Sequence, residues 1–360
     1  MKIGILKEQD DRRVALAPDA LPKLQQLGIE VLLERGAGEA AMFPDEAYAE
    51  TATIADRKQL FKDADVLISI SPLSDKELGK LAADKYLISQ FAPFSNEGVG
   101  ERLREKGLHA MSLDMIPRTT IAQDKDVLSS MASIAGYQAA IVAARHLPRY
   151  FPMMITAAGS LRPATVLVLG AGVAGLQAIA TAKRLGASVE AFDTRSAAKE
   201  EVKSLGAKFI EVEGAREDTS AGGYAVEQDE DFLKRQRAEV QSRAQKSDVI
   251  ITTAQVRGRK APILVPEETV QAMKTGSVIV DLAASTGGNC ALTENGSTVV
   301  KYGVTIVGDS NLPAQMPQDA SQLYSNNLFN FLKHIAPEGA LDLDMEDQIV
   351  RDTLITAKSE

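Results

Sequence analysis

Three glycines in Val166-Leu-Val-Leu-Gly170-Ala-Gly172-Val173-Ala174-Gly175 carry the clearest chemistry in the chain. They close an apolar run of strand character and open a helical run over 176–185. In that setting Gly170 permits a tight turn, Gly172 lets the backbone approach a pyrophosphate, and Gly175 lets the helix pack on the sheet. The unpaired N–H groups and positive end of the helix then face the phosphates. A second apolar run ends in Asp193, 18 residues past Gly175 and close to the spacing of about 20 that dinucleotide sites use. Its carboxylate suits the adenosine ribose hydroxyls and would repel a 2′-phosphate, which points to NAD(H). Arg195, two residues on, can soften that repulsion. Val173, Ala174 and Thr194 fall within the expected contact set. So do Ala254 and Gln255, because Thr253-Ala254-Gln255 ends a later strand on the ligand-binding edge.

Holding these residues requires a series of buried strands and covering helices. In the first third, strand character falls at 2–6, 30–34, 66–70, 86–91 and 109–112, with helical patterns at 18–27, 75–82 and 95–106, where Ser95 is the expected N-cap. An Ala-rich run without proline over 129–146 predicts a long helix leading to a second series, broken by Pro148 and Pro152. That series places strands at 166–169, 188–192, 208–210, 249–252, 277–281 and 305–307. A polar stretch over 211–246 reads as a mobile loop, containing Ser220-Ala-Gly-Gly223-Tyr224, that runs into an exposed helix. A last helical pattern over 322–334 precedes an acidic tail and is expected to rejoin the first domain. The β-then-α order predicts an α/β protein of two Rossmann-like domains, with parallel sheets flanked by helices. The expected division is 1–130 with 312–360, and 131–311.

Composition narrows the function classes. A net charge of -9 argues against nucleic acid, whose phosphates need a surplus of Lys and Arg. One cysteine, Cys290, cannot form an intrachain disulfide, and no cluster of Cys, His and carboxylates has metal-ligand spacing. The uncharged run over 164–182 is long enough to cross a bilayer, but its glycines split it into strand and helix, so no membrane span is expected.

Further motifs resemble a family. Lys7-Glu8 followed by Asp11-Arg-Arg-Val-Ala-Leu-Ala-Pro18 is similar to the opening shared by alanine dehydrogenases and the NAD-binding domain of proton-translocating transhydrogenases. Met115-Ile-Pro-Arg118-Thr-Thr-Ile-Ala-Gln123-Asp-Lys-Asp126-Val-Leu-Ser129-Ser130 resembles the Arg-Gln-Asp loop that lies over the nicotinamide in the transhydrogenase domain. Phe151-Pro-Met-Met-Ile-Thr-Ala-Ala-Gly159, the Gly-Gly-Tyr loop and Asp281-Leu-Ala-Ala-Ser-Thr-Gly-Gly-Asn289-Cys290 extend the resemblance over nearly the whole chain. It implies that Arg118, Gln123, Asp126 and Ser129 form a hydrogen-bonded set at the nicotinamide. It also implies that Gly223 and Tyr224 close over the cofactor and that Gln236 contacts it.

Departures separate the two relatives. The lysine, histidine and aspartate that alanine dehydrogenases use on substrate correspond here to Ser69, Gln90 and Ser285. Oxidising an amino acid needs groups that exchange protons. Hydride transfer between two nicotinamides needs only close, aligned rings shielded from water. The resemblance therefore implies the NAD(H)-binding component of a transhydrogenase. Such a component is a homodimer that docks on NADP(H)-binding and membrane-spanning subunits, cytoplasmic and peripheral on the inner face of the plasma membrane. A stand-alone amino-acid dehydrogenase and a non-catalytic NAD-binding module remain the alternatives.

Overall fold

The computed structural model describes residues 1–211, 230–256 and 258–357. The chain divides into two compact units, one of Met1–Met131 with Pro313–Glu360 and the other of Ala132–Leu312.

In the first unit β1 (Lys2–Ile5), β2 (Glu30–Glu34), β3 (Thr53–Ala55), β4 (Val66–Ile68), β5 (Tyr86–Ser89) and β6 (His109–Ser112) form one sheet in the order β3-β2-β1-β4-β5-β6. Every pairing is parallel. A parallel sheet is covered on both faces, so its strands are short apolar runs. Ile3, Ile5, Val66 and Ile68 are fully buried. The helices are α1 (Leu21–Gln26), α2 (Arg57–Asp63), α3 (Asp75–Leu78) and α4 (Val99–Glu105), joined by the closing helices α10 (Pro317–Ile335) and α11 (Gln348–Thr353). Ser321 Oγ on α10 accepts from the Val14 N–H at 2.9 Å, tying the opening motif to the far end of the chain.

One local expectation is corrected. Ser95 does not cap α4. Its N–H closes a turn on the Ala92 carbonyl, and the helix starts after Gly98, whose φ of 72° is left-handed. Within the acidic tail, Asp347 accepts from the Ile349 and Val350 N–H groups and caps α11.

Helix α5 (Val127–His146) begins in the first unit and ends in the second. It starts two residues before the predicted run because Asp126 caps it, accepting from the Leu128 and Ser129 N–H groups. It is also long and apolar enough to cross a membrane. Its apolarity is used within the fold, since Ala139, Ala140 and Ala143 are fully buried in the second unit's core.

The second unit opens with a hairpin of β7 (Met154–Thr156) and β8 (Gly159–Leu161). Its main sheet contains β9 (Thr165–Leu169), β10 (Ser188–Phe192), β11 (Lys208–Phe209), β12 (Val249–Thr252), β13 (Val278–Asp281), β14 (Thr298–Lys301) and β15 (Val304–Val307). The order is β11-β10-β9-β12-β13-β15-β14, parallel except for the β14–β15 pair. Helices α6 (Val173–Arg184), α7 (Ala198–Ser204), α8 (Glu230–Lys246) and α9 (Glu267–Ala272) accompany it. Along β9, Val166 and Val168 enter one core cluster while Leu167 and Leu169 enter another, so both faces are covered. Each such side chain contributes about 1.5–3 kcal/mol by leaving water. The run over 164–182 is split into β9 and α6 by the glycine turn.

Candidate functional site

In the second sheet the strand order reverses between β9 and β12, and ligands of open α/β sheets bind at the carboxyl ends of strands at such a reversal. The glycine turn leaves β9 there and Thr253 leaves β12. Gly170 has φ 104°, and a Cβ on it would lie 2.4 Å from Thr253 Oγ1. That hydroxyl donates to the Gly170 carbonyl at 3.1 Å. A Cβ on Gly175 would sit 1.8 Å from the same carbonyl oxygen, so this glycine is required for α6 to touch the turn.

Gly172 differs. Its φ of −77° suits any residue, and a Cβ there would meet nothing within 4 Å. The protein's own packing therefore does not demand a glycine, whereas a phosphate against the backbone would. Gly172 also caps α6 without a side-chain hydrogen bond. The first N–H groups of a helix have no acceptor inside it, so those of Val173, Ala174 and Gly175 suit an anion. The Val173 side chain is exposed beside them. These features fit a dinucleotide pyrophosphate.

Asp193 follows β10. Its Oδ2 accepts from the Ala171 N–H at 2.7 Å, joining the acid to the glycine turn. Arg195 holds the same carboxylate through its backbone N–H (2.8 Å), Nε (3.0 Å) and a terminal guanidinium nitrogen (3.0 Å). Burial alone would raise the Asp193 pKa; the hydrogen bonds from Arg195 and Ala171 outweigh it and hold the carboxyl below its ordinary value. Thr194 is exposed beside this pair.

At the end of β12, both backbone groups of Ala254 are engaged by Asn289: the N–H donates to Oδ1 and the carbonyl accepts from Nδ2, each at 2.9 Å. Gln255 is exposed, with Nε2 donating to the Leu282 carbonyl. Asn289 is in turn set by Asp281, which is fully buried. The carboxylate accepts from Thr252 Oγ1, Thr293 Oγ1 and the N–H groups of Ala283, Asn289 and Cys290. Thr253, Asp281 and Asn289 are the supporting residues that motif reading left without a role. The run of Gly287 and Gly288, both at positive φ, was the available signal for this turn. Gln236 lies half-buried on α8 with no side-chain hydrogen bond among the described residues. Gly223 and Tyr224 lie outside the described residues.

In the first unit the expected nicotinamide set is only partly joined. Asp126 Oδ2 accepts from Ser129 Oγ at 2.6 Å while Oδ1 caps α5. Arg118 and Gln123 are exposed, and among the described residues neither side chain forms a hydrogen bond or ion pair. Among the described residues, the loop therefore does not close on itself through these two side chains. Ser69 Oγ donates to the Ser71 carbonyl at 2.7 Å. Nearby, the Glu8 carboxylate accepts from the Ile70 and Ser71 N–H groups, and burial raises its pKa. In the second unit Ser285 is exposed.

A parallel sheet with a glycine turn at its strand-order reversal, an acid after the next strand, and a free helix N-terminus defines a dinucleotide-binding protein of the Rossmann-like class. The family models "Alanine dehydrogenase/PNT, N-terminal domain" and "Alanine dehydrogenase/PNT, C-terminal domain" match residues 4–135 and 139–360, and the chain belongs to this family. It is 45% identical to an NAD(P) transhydrogenase subunit alpha polypeptide of Rhodospirillum rubrum, over 99% of this chain and 96% of that one. The alanine dehydrogenase of Bacillus subtilis is 27% identical over 99% of this chain and 91% of its own. Among solved structures, a transhydrogenase from Sinorhizobium meliloti superposes with a TM-score of 0.90 at 41% identity, covering 98% and 97% of the two chains. An L-alanine dehydrogenase superposes at 0.79 with 25% identity, covering 94% and 91%. The resemblance read from the motifs is borne out.

Proposed function

We propose that the chain is the NAD(H)-binding component of a proton-translocating NAD(P) transhydrogenase. The observation that carries this reading is a complete dinucleotide turn in a chain whose Ser69, Gln90 and Ser285 bear no titratable group. The similarity to transhydrogenase alpha subunits supports it. Bound NADH supplies a hydride at C4 of its dihydronicotinamide, and NADP⁺ on a partner subunit accepts it, giving NAD⁺ and NADPH with no proton gained or lost at either carbon.

The chain's own residues bind and orient. The Gly170–Gly175 turn and the start of α6 hold the pyrophosphate, Asp193 takes the ribose hydroxyls in exchange for bonds from the Arg195 side chain, and the edge at Ala254 and Gln255 borders the adenosine half. Arg118 and Gln123 supply free donors and acceptors for the carboxamide, while Asp126 and Ser129, locked by the α5 cap, fix the loop that bears them. Gly223, Tyr224 and Gln236 complete the contacts. The component acts as a homodimer, peripheral on the inner face of the plasma membrane through subunits that carry the NADP(H) site and the proton path.

The chain lacks tryptophan, so enhancement of NADH fluorescence reads binding against a low protein background. NADH should bind, and pyruvate plus ammonia should leave it unoxidised. Oxidation by that pair would transfer the chain to the amino-acid dehydrogenases.

A further inference from the structure

The Asp193–Arg195 pair has a consequence for selectivity that Asp193 alone does not. Both carboxylate oxygens are engaged twice. Oδ1 accepts from the Arg195 backbone N–H and Nε, and Oδ2 accepts from the Ala171 N–H and the terminal guanidinium nitrogen. The Asp193 side chain is 9% exposed, whereas that of Arg195 is 42% exposed, so the guanidinium forms the solvent side of the pair. Among the described residues this is the one ion pair that Arg195 makes. A guanidinium matches a phosphate as well as it matches a carboxylate, through the same two-pronged geometry.

From this arrangement we infer that Arg195 is a second selectivity determinant at the adenosine ribose: a 2′-phosphate binder held inactive by Asp193. This rests on the proposed NAD(H) site. With the pair intact, a 2′-phosphate meets a carboxylate whose donors are already committed. With the carboxylate neutralised, the guanidinium two residues away is free to take the phosphate. With Arg195 removed instead, the carboxylate keeps its bond from Ala171 but loses its counter-ion, and repulsion of a 2′-phosphate grows. The two single substitutions therefore move selectivity in opposite directions.

The test is the ratio of NADPH to NADH dissociation constants, read by nucleotide fluorescence at low and physiological salt, with thermal unfolding confirming that each variant folds. Asp193→Asn keeps an acceptor oxygen for Ala171 and should lower the ratio at least about tenfold through tighter NADPH binding. Adding Arg195→Ala to it should abolish that gain. Arg195→Ala alone, at a partly exposed side chain, should raise the ratio by about threefold or more, most strongly at low salt. Equal NADPH affinity in Asp193→Asn with and without Arg195, or an unchanged ratio in Arg195→Ala, overturns the inference and leaves the NAD(H) site standing. Failure of the unsubstituted protein to bind NADH at all overturns the functional reading itself, and this inference with it.

Discussion

Gly172 and Gly175 lie three residues apart in one turn, and the same substitution should act on them through different physics. A methyl group at Gly172 meets no protein atom within 4 Å, and its backbone is already in a region open to every residue. Gly172→Ala should therefore shift stability by under about 1 kcal/mol, since the freedom lost by the unfolded chain opposes the poorer cap that alanine makes at the start of α6. The methyl would instead stand where a pyrophosphate approaches the backbone, and NADH should bind at least about tenfold more weakly, a loss of about 1.4 kcal/mol. At Gly175 the added carbon would lie 1.8 Å from the Gly170 carbonyl oxygen and 2.8 Å from its carbon. Relief requires α6 to move off the turn, against the fully buried Ala178, Ile179 and Ala182. Overpacking of this kind costs about 1–3 kcal/mol. Urea unfolding followed by circular dichroism, with NADH titration of each folded variant, separates the two. Unaltered NADH binding by Gly172→Ala would refute the assignment of its open face to the phosphates.

Other consequences can be measured in the same way. Asp281→Asn sets an amide N–H₂ against donors that now face a carboxylate oxygen, and should destabilise the protein by about 2–4 kcal/mol in urea unfolding. Asp126→Ala removes the α5 cap and should cost about 1 kcal/mol. Arg118→Ala, at an exposed side chain, should change stability by under about 0.5 kcal/mol yet weaken NADH binding. Asp248 is buried, which raises its pKa, but the bonds from Thr165 and Lys274 and the charge of Arg149 together hold it below 3.8. Its contribution to stability is present above that value and disappears as pH falls through the folded-state pKa, so Asp248→Asn should flatten the acid limb of the stability profile below pH 3.8.

Strands buried on both faces were legible because they appear as unbroken apolar runs, as Val166 to Leu169 does. Of the edge strands, β6 and β11 were legible but β3 and β14 were not: β3 has an exposed Thr53, and β14 has exposed Thr298, Val300 and Lys301. An edge position demands no continuous apolar run, so these two strands left little trace in the sequence. The Ser95 cap failed because helix-forming residues follow it while Gly98, at positive φ, sets the true start. The glycine turn and Asp193 were legible from spacing. The grip of Arg195 on Asp193 and the Asp281–Asn289–Ala254 relay were not, since they depend on side-chain geometry between β10, β12 and the turns that follow the strands.

Transhydrogenation itself can be assayed by mixing the chain with a partner subunit loaded with NADPH and adding the acetylpyridine analogue of NAD⁺, whose reduced form absorbs at longer wavelength than NADPH. Rapid reduction of the analogue that requires both proteins, and that slows in Gly172→Ala, is the predicted result. Silence of this mixture, with a chain that still binds NADH, would contradict a role in hydride transfer between two nicotinamides.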